Sequence, residues 1–473
     1  MGELLTGMID LRIDNGKIVL PDSVIDATLL IDKGKIVGVT AKNTTIRADQ
    51  TIDAKGKYIL PGGIDPHTHL ATSFMGVKAK DDHFTGTKAA SWGGTTTIIG
   101  FATPPRGEST LDTVVKTRES ADKEVVIDYS LHPTIVNLSS ENIGQIKTLI
   151  EMGMPSFKLY LVYRKEGVMA DDGVLLQIFN ETIKYGGLVG CHAENVSMIE
   201  HLVAEALKNG NRSAIYHAKT RPPITEAETV NRMMYMANFL HAPYFNFHLT
   251  IKEGVDMFRE ARNKGQPMYA ETCTQYLVKS ENDLMRPDGI NFICTPPLRT
   301  KKDSESLWRG LAEGSISVVS SDQCAFSRDM KKLGKDSFDL VPNGLPGLEF
   351  RLPILFSEGF MKNRISLSKF SEVTSTNAAK IFGLYPKKGI LGVGSDADVV
   401  IIDPKLERTI SSEDSLYDMD WYPYEGMTVK GWPSTTISKG KVIWQDGVFM
   451  GKAGEGEFLK RKLSPELFKK PVA

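Results

Sequence analysis

Between residues 57 and 389, eight short strand-like runs alternate with longer helical stretches, and few architectures accommodate such a pattern. The runs are Tyr58 to Ile64, Thr95 to Phe101, Val125 to Leu131, Ser156 to Leu161, Leu188 to Cys191, Tyr244 to Leu249, Met268 to Thr272 and Ile316 to Ser320. Leu175 to Tyr185, Glu226 to His241 and Ile251 to Lys264 carry helical periodicity between them. The alternation predicts an α/β fold, a (β/α)8 TIM barrel over residues 57–389, with its chemistry at the carboxyl ends of the strands.

Both chain ends read as β structure. Met8 to Ile13 is expected to turn at Asp14-Asn15-Gly16 into Lys17 to Leu20, and Ala27 to Ile31 to turn at Lys33-Gly34-Lys35 into Ile36 to Val39. Ala397 to Ile402 is another β-type run, and Ile437-Ser438-Lys439-Gly440-Lys441-Val442-Ile443 nearly repeats Ile31 to Val37. Neither end has enough strands to bury a core alone, so residues 1–56 and 390–453 are predicted to pack together as a small β-sandwich domain. The tail, 454–473, sets Phe458, Leu459, Leu463, Leu467 and Phe468 among lysines, and is expected to be a surface helix or an oligomerisation arm.

Lys and Arg number 57 against 58 Asp and Glu, so no global field attracts nucleic acid or an anionic membrane. Small molecules and other copies of the chain are the expected partners. Cys191, Cys273, Cys294 and Cys324 are widely spaced with no CxxC pair and no secretory leader, which fits a reducing cytoplasm. No apolar run approaches the roughly 20 residues of a membrane helix. Met1 to Thr6 matches a loose myristoylation pattern too short to carry an argument.

The strand-end rule selects a specific set of side chains. In Pro61-Gly62-Gly63-Ile64-Asp65-Pro66-His67-Thr68-His69, alternate residues of an extended segment face one side, so His67 and His69 can reach one ion together. Lys158 lies in the fourth run, His192 ends the fifth, His248 the sixth and Asp322 the eighth. Imidazole and carboxylate donors suit zinc, and also manganese, cobalt or iron. Four histidines and an aspartate exceed what one open catalytic zinc needs, whereas two ions about 3.5–4 Å apart would use them. No phosphate loop, dinucleotide fingerprint or GxSxG nucleophile elbow is present.

Taken with Ser156-Phe157-Lys158, Cys191-His192-Ala193-Glu194-Asn195, His248, Ser321-Asp322 and Pro342-Asn343-Gly344, the segment Gly62 to His69 resembles the hydantoinase/dihydropyrimidinase group of cyclic amidohydrolases. Phe74-Met75-Gly76, Gly93-Gly94-Thr95-Thr96-Thr97, Thr295-Pro296-Pro297-Leu298-Arg299 and the terminal β domain extend the similarity over nearly the whole chain. The resemblance implies that CO2 carboxylates Lys158 and that the carbamate bridges two divalent ions, zinc first, with manganese or cobalt as alternatives. It implies that His67, His69 and Asp322 hold the more buried ion and His192 and His248 the other. Asp322 would also carry the proton to the leaving ring nitrogen. Tyr163 would be the oxyanion donor, and Thr295 and Asn343 would hold the imide of the ring. Phe74 and Met75 are candidates for the substituent pocket. A homotetramer is also implied.

The implied reaction opens dihydropyrimidines or 5-substituted hydantoins to N-carbamoyl amino acids. Where the family continues after the aspartate with His-Cys-Pro-Phe, this chain has Gln323-Cys324-Ala325-Phe326. That departure keeps an allantoinase-like ureide hydrolase in view, and it places specificity in this segment and in the loop after His69. A non-enzymatic scaffold of the same fold is disfavoured because all six ligand positions are intact.

Overall fold

The barrel strands in the computed structural model, which describes residues 8–42, 44–136 and 139–473, are Gly63–Thr68 (β1), Thr95–Ala102 (β2), Asp128–Pro133 (β3), Ser156–Tyr160 (β4), Leu188–His192 (β5), Tyr244–Asn246 (β6), Met268–Cys273 (β7) and Val318–Ser320 (β8). Every pairing among them is parallel: β1 with β2, β2 with β3, and β4 through β8 in order. Two isolated parallel bridges, Thr134 to Lys158 and Thr68 to Gln323, complete the circuit. A barrel strand is covered by helices outside and packed side chains inside. Accordingly β1, β3, β5 and β7 are buried at every position.

The outer helices start and stop on local signals. Asp171 caps Asp172–Tyr185 by accepting from the Val174 N–H, and Gly186 ends it in the left-handed region. Thr300 and Asp303 form a capping box on Lys301–Glu313, and Gly314 closes that helix the same way. Such caps contribute about 1 kcal/mol each.

Three expectations are corrected. The first run, Tyr58 to Ile64, is two strands. Tyr58–Pro61 pairs with Val399–Thr409 on one side and with Ile9–Val19 on the other, so it is the seam joining the two chain ends into one nine-stranded sheet, and the barrel begins after Gly62. Both ends contribute to one apolar core that includes Leu11, Leu29, Ile59, Val399 and Ile437.

Second, Asp14-Asn15-Gly16 is no hairpin turn: Ile9–Val19 runs through it as one strand paired with Val24–Asp32, with a bulge between Ile13 and Gly16. Asn15 takes a positive φ there and its amide donates to Asp53, while Asp14 accepts from the Thr28 hydroxyl. The Lys33-Gly34 turn does form, and the sequence echo at Lys439-Gly440 forms another. The two tips abut, and a Cβ on Gly34 would come within 2.9 Å of the Lys439 carbonyl oxygen.

Third, the tail is neither a surface helix nor a projecting arm. Only Pro465–Phe468 makes a short 3-10 turn, and Leu459, Leu463 and Leu467 are buried against Ile99, Phe245 and Phe382 of the same chain. The Tyr129 and Leu459 backbones pair beside β3. The myristoylation pattern lies outside the described residues. Among those described, no helix is long and apolar enough to cross a membrane.

Candidate metal centre

His67 sits on β1 and His69 one residue beyond it, both directed to the cavity at the carboxyl end of the barrel. His67 Nε2 lies 2.9 Å and His69 Nε2 3.5 Å from Asp322 Oδ1. Donor atoms of these three residues all fall within 4.8 Å of one another, a spacing suited to a shared ion. His192 ends β5, and its ring lies 4.4 Å from that of His248, which in turn is 5.3 Å from His67. Lys158, on β4 and fully buried, places its Nζ 3.5 Å from His248 Nε2 and 4.0 Å from the centre of the Phe247 ring. Gly190 makes room for that ring, because a Cβ there would fall 2.3 Å from it. All six predicted ligands therefore line one cavity.

Three residues of the cavity wall adopt left-handed backbone conformations: Tyr163 at φ 63°, His248 at φ 42° and Asp322 at φ 51°. Such conformations cost on the order of 1–3 kcal/mol each in non-glycine residues and persist where surrounding packing over-determines them. His248 and Asp322 each stand two residues past a strand end, where the turn aims the side chain back over the barrel mouth.

Two glutamates that the sequence reading left without a role orient the imidazoles. Glu271, buried on β7, pairs with His67 Nδ1 and accepts from the His248 backbone N–H at 3.2 Å. A carboxylate on Nδ1 places the proton there and leaves Nε2 as a lone pair. Glu194 Oε2 lies 2.7 Å from His192 Nε2, so Nδ1 of that ring is left for a ligand. The available signal was a charged residue inside an otherwise uncharged barrel strand, Met268 to Cys273.

These surroundings fit a cation. The lone pair of His67 Nε2 faces a carboxylate oxygen at 2.9 Å without hydrogen-bond geometry, and His248 Nδ1 is buried with no hydrogen-bond partner among the described residues. Two acceptors so close repel unless positive charge lies between them. Burial opposes a charged His67, yet Asp322 and Glu271 together raise its pKa above the ordinary value. Burial lowers His69 to about 4 and also lowers His192 and His248, which keeps those rings neutral as ligands must be. Against burial, which would raise it, His67 and His69 hold the Asp322 carboxyl well below the usual range. Burial brings the Lys158 ammonium down to about 8, far closer to a free amine than a surface lysine.

Tyr163 accepts from Asn343 Nδ2 at 3.4 Å and meets Phe74 edge to face at 5.3 Å, while burial raises its pKa. Thr295 Oγ1 lies 3.2 Å from His217 Nε2. Phe74, Tyr163, Thr295 and Asn343 all line the cavity, as do Tyr160, Val168 and Cys324, which were not anticipated. Met75 does not. It faces an adjoining groove with Arg164 and Phe338.

Residues 58–443 match the model of the amidohydrolase family. The chain belongs to that family. Among its relatives, the D-hydantoinase of Geobacillus stearothermophilus is 41% identical over 453 residues, covering 95% of this chain and 96% of that one. A D-phenylhydantoinase of Escherichia coli is 40% identical over 455 residues, covering 95% and 98%. The crystal structure of dihydropyrimidinase from Brevibacillus agri NCHU1002 superposes with a TM-score of 0.92 at 40% identity, covering 95% of this chain and 98% of that one. Identity of this extent places the chain in the hydantoinase branch of the amidohydrolases.

The departure at Gln323 takes a different meaning in this amidohydrolase. Gln323 is fully buried, donates to Asp81 at 2.9 Å, and accepts from the Gly347 and Leu348 N–H groups at 2.9 and 3.0 Å. Ala325 is core. Neither Gln323 nor Ala325 lines the cavity; of the segment Gln323 to Phe326, only Cys324 reaches it.

Proposed function

We propose that this chain, a cyclic-amide hydrolase of the hydantoinase branch, opens dihydropyrimidines or 5-substituted hydantoins to N-carbamoyl amino acids at a two-ion centre. The observation that carries the reading is the convergence of His67, His69 and Asp322 on one point, with Lys158, His192 and His248 completing the same cavity. His67, His69 and Asp322 would hold one divalent ion and His192 and His248 a second, with carboxylated Lys158 shared; the donor set favours zinc, then manganese or cobalt. When bound, such ions would polarise the scissile carbonyl and acidify a water.

The remaining steps belong to the chain itself. The lowered Lys158 pKa supplies the neutral amine that adds to CO2: a C–N bond forms, one C=O pair moves to oxygen, and the nitrogen loses a proton. Asp322, held as a carboxylate, accepts a proton from the attacking water and returns it to the ring nitrogen as the C–N bond breaks. Tyr163 keeps its proton under burial and donates to the carbonyl oxygen as charge develops. Thr295 and Asn343 hold the imide edge, and Phe74 packs against the ring substituent. Met75 would reach only a substituent long enough to enter the adjoining groove.

A homotetramer follows the family resemblance, and four free, buried cysteines suit a reducing cytoplasm. The protein reconstituted with zinc or manganese and bicarbonate should carry two ions by elemental analysis and open dihydrouracil and hydantoins. Turnover of allantoin alone would overturn the substrate reading. A chain that neither retains metal nor turns over any ring would overturn the site.

A further inference from the structure

Lys331, on the short helix Arg328–Lys332, is fully buried and lies outside the cavity, and among the described residues no carboxylate pairs with it. Its Nζ donates to two backbone carbonyls, Ile293 and Pro342, both at 2.7 Å. The Ile293 oxygen also accepts from the Gly344 N–H at 3.2 Å. Its titratable neighbours are the thiols of Cys294 and Cys324, and burial takes the ammonium down to about 7. An ammonium removed from water without a counter-ion is costly, and a leucine or methionine would fill the space without that cost. What Lys331 adds is therefore the pair of carbonyl bonds.

Both carbonyls lie just upstream of substrate-facing residues: Ile293 is two residues before Thr295, and Pro342 directly precedes Asn343. Both segments are irregular chain, held by no strand ladder or helix, and both enter the cavity wall. The Lys331 bridge and the Gly344 to Ile293 bond join the two segments to each other, while His217 Nε2 and the Tyr276 hydroxyl hold the carbonyls of Cys294 and Pro296 from outside.

We propose that Lys331 is a positioning residue, whose side chain holds the Thr295 and Asn343 segments at the spacing that grips the imide edge of the cyclic substrate. This rests on the reading of Thr295 and Asn343 given above. Loss of the bridge loosens ground-state and transition-state binding together and leaves the ion ligands in place, so the effect falls on KM.

The test compares Lys331→Met, Lys331→Arg, Asn343→Ala and Leu311→Ala, a core truncation remote from the cavity, each loaded with zinc and bicarbonate. Metal content, thermal midpoint, and kcat and KM on a hydantoin are measured for each. Lys331→Met is expected to keep wild-type metal content and to raise KM about tenfold or more with a much smaller change in kcat. Lys331→Arg, which retains donors, should recover part of the loss, and Leu311→Ala should lower the midpoint without moving KM. An unchanged KM in folded Lys331→Met, while Asn343→Ala raises it, overturns the proposal. An unchanged KM in Asn343→Ala overturns the imide reading instead. Should Lys331→Met fail to fold, Lys331→Gln, whose amide nitrogen stands one side-chain atom short of the lysine Nζ, carries the same comparison.

Discussion

At the scale of single residues, the site is a set of buried charges whose partners decide what they can do. Asp81 illustrates the point away from the candidate metal centre: it is buried, one oxygen is bonded to Gln323, the other has no hydrogen-bond partner among the described residues, and burial raises its pKa to about 7. Since this exceeds the ordinary 3.8, the native state holds a proton that the unfolded chain has released. The contribution is fully present below about pH 4 and is lost as pH rises through about 7. Asp81→Asn should therefore match the wild type near pH 4 and exceed its stability at pH 8 by up to about 4 kcal/mol, checked by denaturant unfolding across that range. Tyr163→Phe removes only the hydroxyl, so kcat should fall about 10²–10³-fold with metal content unchanged, measured by steady-state kinetics beside elemental analysis. That His67, His69, Lys158, His192, His248 and Asp322 converge on one cavity was legible in the sequence because each stands at or near a strand end. Glu271 showed only as a lone charge in an uncharged strand; its partner could not be read, because the contact joins β7 to β1 across the barrel.

Elements tell a different story, since a segment's local pattern names its type and leaves open what it packs on. The alternation placed all eight barrel strands, yet Tyr58–Pro61 left the barrel for the terminal sheet, where edges from both chain ends were waiting to be paired. Asn15-Gly16 is a hairpin signal that became a bulge, because Val24–Asp32 offers a partner on both sides of it, from Leu11 to Val19. The tail shows the same override. Its leucines read as one face of an exposed helix, but Leu459, Leu463 and Leu467 fill a core with β2, β6 and Phe382. Arg461 is buried and donates to Ser130, Ser156 and the Leu131 carbonyl, beneath the strands that carry the site. Ser156 in turn bonds His132, whose other nitrogen meets the carbonyl of Pro66, next to His67. Burying three leucines is worth about 5 kcal/mol or more, comparable to the whole stability of many domains. Truncation after Gly454 should consequently give insoluble or strongly destabilised protein, read as soluble yield and thermal midpoint. A truncated chain that melts like the full one would show that the tail packs without supporting the barrel.

For the molecule as a whole, an active-site mouth built from buried imidazoles and the carboxylates of Asp322, Glu271 and Glu194 is expected to gain stability from bound cation. Chelation should lower the thermal midpoint by several degrees, and zinc should restore it in proportion to its concentration over its dissociation constant. Scanning calorimetry with and without chelator checks this, and identical midpoints would mean that the buried charge is already balanced. The sequence by itself determined the barrel, the joining of both chain ends in one β domain, and the six convergent side chains, because period and strand-end position are local properties written in residue order. Only the tertiary structure decided which strand sutures the two ends, that the tail packs into the core beneath the barrel strands, that Gln323 bonds Asp81 and the Gly347 and Leu348 backbone outside the cavity, and that Glu271 meets His67 while Lys331 meets the carbonyls of Ile293 and Pro342. Those outcomes depend on contacts between residues far apart in the chain, where competing partners are ranked by burial and hydrogen bonding and by nothing in the local pattern.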